Sequence, residues 1–242
     1  MWIPGIIAGL STPLGATVMM GLRHVSGRVL AFVLALASGV MITVAVTELI
    51  PRGIRLGGLG PAVAGLAAGG IGMVFLRAGI LRPAGKATPF GDERLGITGG
   101  LIAVALAIHD IPEGLAITAG DIVSPHVGLL IAAAIALHNI PEGMSIAAPM
   151  LAAGAGRGRV ALITAAVGCV TPLATWVATG LRDVPAVWVA AVLAFAGGVM
   201  LTVVLQDALP TAAREDPRVI AAGLAAGGLL MAVLSARWIP GV

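Results

Sequence analysis

Two six-residue stretches of this sequence share a pattern of side chains that can bind metal ions. They begin at His109 (HDIPEG) and at His138 (HNIPEG), at an offset of 29 residues. In each stretch a glutamate, Glu113 or Glu142, follows the histidine by four positions, so that both side chains lie on one face of a helix. If the two helices face each other, two imidazoles and two carboxylates converge on one site.

The donor atoms of this site are nitrogen and oxygen. Asp110 and Asn139 follow the two histidines and add oxygen ligands on one side. Such a set suits Zn²⁺, and also Fe²⁺, Mn²⁺, Co²⁺ or Cd²⁺, whereas Mg²⁺ and Ca²⁺ favour sites made of oxygen alone. The one cysteine of the chain, Cys169, excludes a thiolate cluster. We therefore predict a site for a divalent transition-metal ion with six ligands, which are His109, Asp110, Glu113, His138, Asn139 and Glu142.

The composition places this site inside a membrane. Hydrophobic residues make up 59% of the 242 residues and charged residues 10%, whereas a soluble domain carries roughly 25% charged residues. This balance excludes a soluble enzyme, a disordered chain and a nucleic-acid-binding protein. A helix needs about 20 apolar residues to cross a bilayer, and eight stretches meet that requirement. They are approximately 3–22, 29–50, 58–80, 96–119, 126–149, 158–181, 185–209 and 217–239, with breaks at clusters such as Pro51-Arg52-Gly53.

Acidic side chains inside these spans indicate function, because a charge at mid-membrane depth costs roughly 2.5–3.5 kcal/mol or more. The acids are Glu48, Asp110, Glu113, Glu142 and Asp207. Two prolines accompany them: Pro112 leaves the carbonyl of Ile108 without its helical N–H partner, and Pro141 does the same to Leu137. The freed carbonyls are expected to line a cavity. A polar cluster that only holds helices together is the alternative, and the two identical His-x-x-x-Glu faces argue against it.

The basic residues predict how the chain is oriented. With the N-terminus outside, ten lysine and arginine residues lie in inner loops and four in outer loops. Because these residues are enriched on the cytoplasmic side, we predict that both termini are outside. The abundance of alanine, glycine and arginine is typical of a GC-rich prokaryote, and predicts a multi-pass protein of its plasma membrane.

The first and last thirds of the chain repeat each other at an offset near 159. Thr12-Pro13-Leu14 recurs as Thr171-Pro172-Leu173, and Gly39-Val40-Met41 recurs from Gly198. Because five crossings separate the copies, the second enters the membrane inverted, as in many transporters. We predict one transmembrane domain over 1–242, all helical, in a 3+2+3 plan. Its parts are a first repeat at about 1–80, a central helix pair at about 96–149 and an inverted repeat at about 158–242.

The paired His-Asx-Ile-Pro-Glu-Gly boxes in adjacent spans resemble the signature of the Zrt/Irt-like (ZIP) divalent-metal transporters, close to the prokaryotic GufA-like branch. The resemblance covers the whole chain. It implies uptake of metal ions into the cytoplasm by an elevator motion of spans 1, 4, 5 and 6 against spans 2, 3, 7 and 8. It also implies a homodimer in the lipid bilayer. The metal is then a transported substrate rather than a catalytic cofactor, and the protein is not an enzyme.

The resemblance also implies two metal positions. The first would use His109, Glu113, His138 and Glu142, with Met41 as a soft neighbour, and the second would use Asp110 and Asn139, with both glutamates bridging. Thr171 stands where the family often has a glutamate, which weakens the second position. Further residues expected along the pathway are Glu48, Gln206 and Asp207.

Two other functions remain open from the sequence. An intramembrane metalloenzyme would also need buried histidines and acids, but it commonly presents an H-E-x-x-H motif, whereas here each helix gives one histidine. A proton or organic-ion transporter could use the acids as relays, although paired histidines favour a metal. In a metal transporter the empty carboxylates would share protons, so that falling pH should weaken uptake.

Overall fold

The computed structural model describes residues 2–81, 93–180 and 185–238, and all regular structure in these ranges is helical. Each of the eight helical segments there contains a stretch long and apolar enough to cross a membrane, which confirms the predicted all-helical membrane fold. Residues 82–92 of the longest predicted loop lie outside the described residues. The helices are α1 (Trp2–Met20), α2 (Gly27–Gly57), α3 (Leu59–Leu81), α4 (Glu93–Val123), α5 (Pro125–Ala152), α6 (Arg157–Ala178), α7 (Ala186–Glu215) and α8 (Ile220–Trp238).

Local sequence signals set several helix ends. The Ser26 hydroxyl accepts a hydrogen bond from the Val29 amide at 3.3 Å and caps α2, and Ser124 caps α5 in the same way. These hydroxyls satisfy amides that have no partner in the first helical turn. Gly58, with φ of 81°, is the single residue between α2 and α3. Only glycine adopts this left-handed conformation without strain, so the chain reverses there in one residue.

Helix α2 continues beyond the point where the sequence predicted its end. The break expected at Pro51-Arg52-Gly53 is wrong, because the helix runs on to Gly57. It changes instead into a π-helical turn over Ala45–Leu49, which ends two residues before Pro51. A proline inside a helix lacks the N–H and crowds the preceding turn. A wider turn at this point accommodates that crowding, and such turns are frequent at functional sites.

Helix α7 contains the matching feature. Its π-helical turn covers Val204–Ala208 and is followed by Pro210. The two π turns begin 159 residues apart, which is the offset at which the sequence repeats. Each turn carries one intramembrane acid, Glu48 in α2 and Asp207 in α7. Both acids therefore lie where the helical register changes.

The helices pack into two groups. In the first group, α1 lies against α5 and α6, and α4 lies against the same two helices. In the second, α2 packs on α7 and α8, while α3 packs on α7. The two groups meet mainly where α2 touches α5 and where α4 touches α7. The duplicated boxes lie on α4 and α5, so they sit within the first group and close to its boundary with the second.

Two glycines of the boxes allow close packing of neighbouring helices. A Cβ added to Gly143 on α5 would collide with the carbonyl oxygen of Thr12 on α1. A Cβ added to Gly114 on α4 would lie 2.7 Å from the carbonyl oxygen of Thr171 on α6. Small residues let helix backbones approach closely in membranes. Helix α5 is thereby packed closely against α1, and α4 against α6.

Candidate metal site

One carboxylate oxygen lies between the two histidines of the duplicated boxes. His109 Nε2 on α4 is 3.0 Å from Glu113 Oε1, one helical turn further along. His138 Nε2 reaches the same oxygen from α5 at 2.5 Å. One ligand atom from each of these residues lies within 4.8 Å of the others. The packing of α4 on α5 therefore turns these three side chains toward one another.

These three residues are removed from solvent but incompletely paired. His109, Glu113 and His138 are all buried. The Nδ1 atom of His109 has no hydrogen-bond partner among the described residues, whereas its Nε2 atom lies 3.0 Å from the Glu113 carboxylate. Buried polar atoms without partners are uncommon and require an explanation. A cation bound among the two imidazoles and the carboxylate supplies one.

Asn139 contacts the same carboxylate from the other side. Its amide nitrogen lies 3.4 Å from Glu113 Oε2 and 3.5 Å from the carbonyl oxygen of Ala8 on α1. Its Oδ1 atom is buried and has no hydrogen-bond partner in the described parts of the chain. The amide nitrogen thus faces acceptors, and the oxygen stays available as a ligand atom.

The other predicted ligands are buried next to this cluster without joining its closest group. Asp110 and Glu142 each expose about 1% of their surface, and each has one carboxylate oxygen without a hydrogen-bond partner in the described ranges. Thr171 on α6 is buried, and its side chain lies close enough to Asp110 to interact with that carboxylate. Asp110 and Thr171 therefore neighbour each other, as the implied second metal position requires.

The remaining pathway candidates occupy different surroundings. Met41 is fully buried in the core of α2, and Gln206 is exposed. Asp207 is buried and pairs with Arg77 of α3, whose Nε lies 2.9 Å from Oδ1. No local pattern in the sequence links Arg77 to Asp207, because the two residues are 130 positions apart in the chain.

A cavity of about 60 Å³ leads to the cluster. His109, Glu113 and His138 line this cavity, and so do Glu48 and Arg52 of α2. The rest of its wall is largely apolar and comes from both helix groups. Pro112 is also part of the wall, in agreement with the prediction that the prolines border a cavity. Arg52 was missed as a cavity residue, although its position four residues after Glu48 was a usable signal.

Comparison with known proteins agrees with this arrangement. The family model described as ZIP Zinc transporter matches residues 89–235, which include both boxes. The chain belongs to the ZIP family. This ZIP chain is accordingly a transporter of divalent metal ions and not an enzyme, which removes the intramembrane metalloenzyme from consideration. With its eight apolar helices it is a multi-pass protein of a prokaryotic inner membrane.

Relatives of this ZIP chain match over nearly its whole length. A zinc transporter ZupT of Chlorobium luteolum is 36% identical over 94% of this chain and 94% of its own. The zinc transporter ZupT of an Enterobacter strain is 30% identical over 88% of this chain and 86% of its own. That of Corynebacterium aurimucosum is 30% identical over 97% and 95%. The resemblance inferred from the boxes is thus confirmed at the level of the family.

Proposed function

We propose that this protein imports divalent transition-metal ions into the cytoplasm, with Zn²⁺ as the leading substrate and Fe²⁺, Mn²⁺, Co²⁺ and Cd²⁺ as alternatives. The observation that carries the proposal is the convergence of His109, Glu113 and His138 on a buried point at the end of a cavity. Two imidazoles and a carboxylate form a ligand set that Zn²⁺ favours. The ZupT relatives, which are named as zinc transporters, support the same substrate.

Charge balance assigns roles to the other acids. An ion in a low-dielectric site must be nearly neutralised by its ligands, and Glu113 with Glu142 offsets a charge of +2. Glu142 completes the first position from the same face of α5 as His138. Asp110 and Asn139 form the second position, for which the unpaired oxygens of both residues provide donors. With Thr171 instead of a carboxylate beside it, this second position holds an ion less tightly.

The cavity supports an outward-open state of the transporter. Glu48 and Arg52 lie toward the end of α2 and line the cavity. In the predicted orientation, with both termini outside, that end of α2 faces the exterior. Asp207 and Arg77 lie toward the opposite face, where Thr98 of α4 contacts Thr211 of α7 at 3.3 Å. An ion would therefore enter from outside and be released after this inner contact opens.

The two helix groups support an elevator motion. The group α1, α4, α5 and α6 carries the metal ligands, and the group α2, α3, α7 and α8 forms the static part. Helix contacts within each group are more extensive than those between the groups. Motion of the first group would carry a bound ion past the boundary while leaving its ligands together.

Equivalent glycine contacts support the inverted 3+2+3 repeat within one domain. A Cβ on Gly39 of α2 would collide with the carbonyl of Leu224 in α8, and a Cβ on Gly198 of α7 would collide with that of Leu66 in α3. The two glycines are 159 positions apart, which is the offset of the π turns. Large apolar side chains such as Phe75 are exposed on α3, which suits contact with lipid. A homodimer is proposed from the family resemblance.

Uptake by the purified protein tests this function. The protein is reconstituted in liposomes, and entry of radioactive Zn²⁺ is followed with each other divalent ion as competitor. We expect saturable uptake that transition-metal ions inhibit and Mg²⁺ and Ca²⁺ do not. Empty liposomes and liposomes with Glu113→Gln protein at equal density serve as controls. Uptake equal to these controls would overturn the proposal.

A further inference from the structure

An acidic and a basic side chain share the cavity that leads to the metal cluster. Glu48 lies in the π turn of α2, and Arg52 follows one turn later. Arg52 Nη2 is 3.5 Å from Glu48 Oε2, and the side chains are 24% and 17% exposed respectively. Both line the same cavity as His109, Glu113 and His138. The pair therefore lies on the route of any ion that uses this cavity.

A guanidinium in this position is unexpected for a cation pathway. It repels a divalent ion, and the repulsion is strong where apolar walls keep the local dielectric low. An uncompensated carboxylate in the same place would attract cations of any valence. With Arg52 beside it, the Glu48 carboxylate already has a monovalent partner, and an arriving ion must compete with that partner.

The second intramembrane ion pair provides a contrast. Asp207, at the equivalent π turn, is 6% exposed and pairs at 2.9 Å with Arg77 of a different helix. The Asp207 carboxylate is buried while the Arg77 side chain is 35% exposed, and their short contact ties α3 to α7. The Glu48 pair is longer, is partly exposed and lies within one helix. Partly exposed pairs between neighbouring turns are weak, so the guanidinium can leave the carboxylate without separating two helices.

We propose that Glu48 is an entrance binding station for divalent cations and that Arg52 is its displaceable counter-ion. A divalent ion carries twice the charge of the guanidinium and replaces it at the carboxylate. A monovalent ion carries the same charge as the guanidinium and has no such advantage. The pair therefore favours the entry of divalent over monovalent cations. The inference rests on the proposed function, since it concerns entry to the same metal cluster.

The experiment compares Zn²⁺ uptake by Arg52→Gln, Glu48→Gln and the double variant in liposomes. Arg52→Gln removes the competitor, so the Zn²⁺ concentration for half-maximal uptake should fall about threefold or more. It should also make uptake more sensitive to inhibition by Na⁺ and K⁺. Glu48→Gln removes the station and should raise that concentration by a similar factor. Arg55→Gln is the matched control, because Arg55 is an exposed arginine on the same helix segment and does not line the cavity.

The double variant separates this role from simple repulsion. If Arg52 acts through Glu48, Arg52→Gln should have no effect when Glu48→Gln is already present. Equal effects of Arg52→Gln with and without Glu48, or no effect in either, would overturn the inference. Zn²⁺ binding to the detergent-solubilised variants reports folding independently, since the His109 cluster is intact in all of them. Absence of uptake by the unsubstituted protein would instead refute the proposed function, and the inference with it.

Discussion

His138 Nε2 of α5 lies 2.5 Å from Glu113 Oε1 of α4, and this contact joins the two copies of the duplicated box. Glu113 also approaches His109 and Asn139, whereas Glu142, its counterpart in the second box, lies outside the closest group. The two boxes are nearly identical in sequence, yet their glutamates have different surroundings. Glu113 is the centre of the site.

This asymmetry predicts unequal effects of removing each carboxylate charge. Glu113→Gln should lower Zn²⁺ uptake by about 100-fold or more, because it removes a direct ligand, while Glu142→Gln should lower it by at least about tenfold. Initial rates in liposomes measure both. Glu215→Gln, a change in an exposed acid at the end of α7, should stay within about twofold of the original rate. Full activity of either site variant would refute its assignment as a ligand.

A carboxylate added beside Asp110 should strengthen the second metal position. Thr171 is buried next to Asp110, and Thr171→Glu adds a negative charge there, so Zn²⁺ should bind more tightly or with a second equivalent. Isothermal titration of the purified protein measures both quantities. Thr171→Gln has nearly the same shape without the charge and is the control. If the two variants bind Zn²⁺ alike, Thr171 does not lie at a metal position.

The close approach of α5 to α1 at Gly143 should make the stability of the fold sensitive to a larger side chain at this position. Gly143→Ala places a Cβ against the carbonyl of Thr12 and forces α5 away from α1, which should cost about 1–3 kcal/mol. Gly100 of α4 has open space around it. Gly100→Ala should therefore leave stability unchanged or raise it by up to about 1 kcal/mol. Thermal unfolding in detergent compares them, and equal melting temperatures would show that the contact at Gly143 does not limit packing.

The contact between Thr98 and Thr211 joins the two helix groups across α4 and α7. Thr98→Val removes a hydrogen bond worth about 1 kcal/mol and should shift the population away from the outward-open state. A cysteine at Ala116, which lines the cavity, should then react more slowly with an impermeant thiol reagent added outside. Exposed Cys169 is first replaced by alanine.

Thr43→Val is the control for this shift, because the Thr43 hydroxyl donates to the carbonyl of Gly39 in its own helix at 2.8 Å. It should leave the labelling rate unchanged. A Thr98→Val rate equal to that of the control would mean that the threonine contact does not hold the inner side closed.

The sequence by itself determined the apolar helices of the described residues and the helix faces on which the box side chains lie. Span length follows from bilayer thickness, and the shared face of His109 and Glu113 follows from helical periodicity, so both can be read locally. The same periodicity indicated that His138 would face them once α4 and α5 packed together. The family was identifiable for the same reason, since both boxes are contiguous in the chain.

The tertiary structure decided what depends on helix rotation and on distant partners. Only packing selected Glu113 over Glu142 as the oxygen between the histidines, because the two boxes have equal local spacing. The pairing of Asp207 with Arg77 links separate helices, and the continuation of α2 past Pro51 depends on the π turn before it. The selection of Glu113 and the pairing of Asp207 with Arg77 arise from contacts between different helices, so they leave no periodic signal in the sequence.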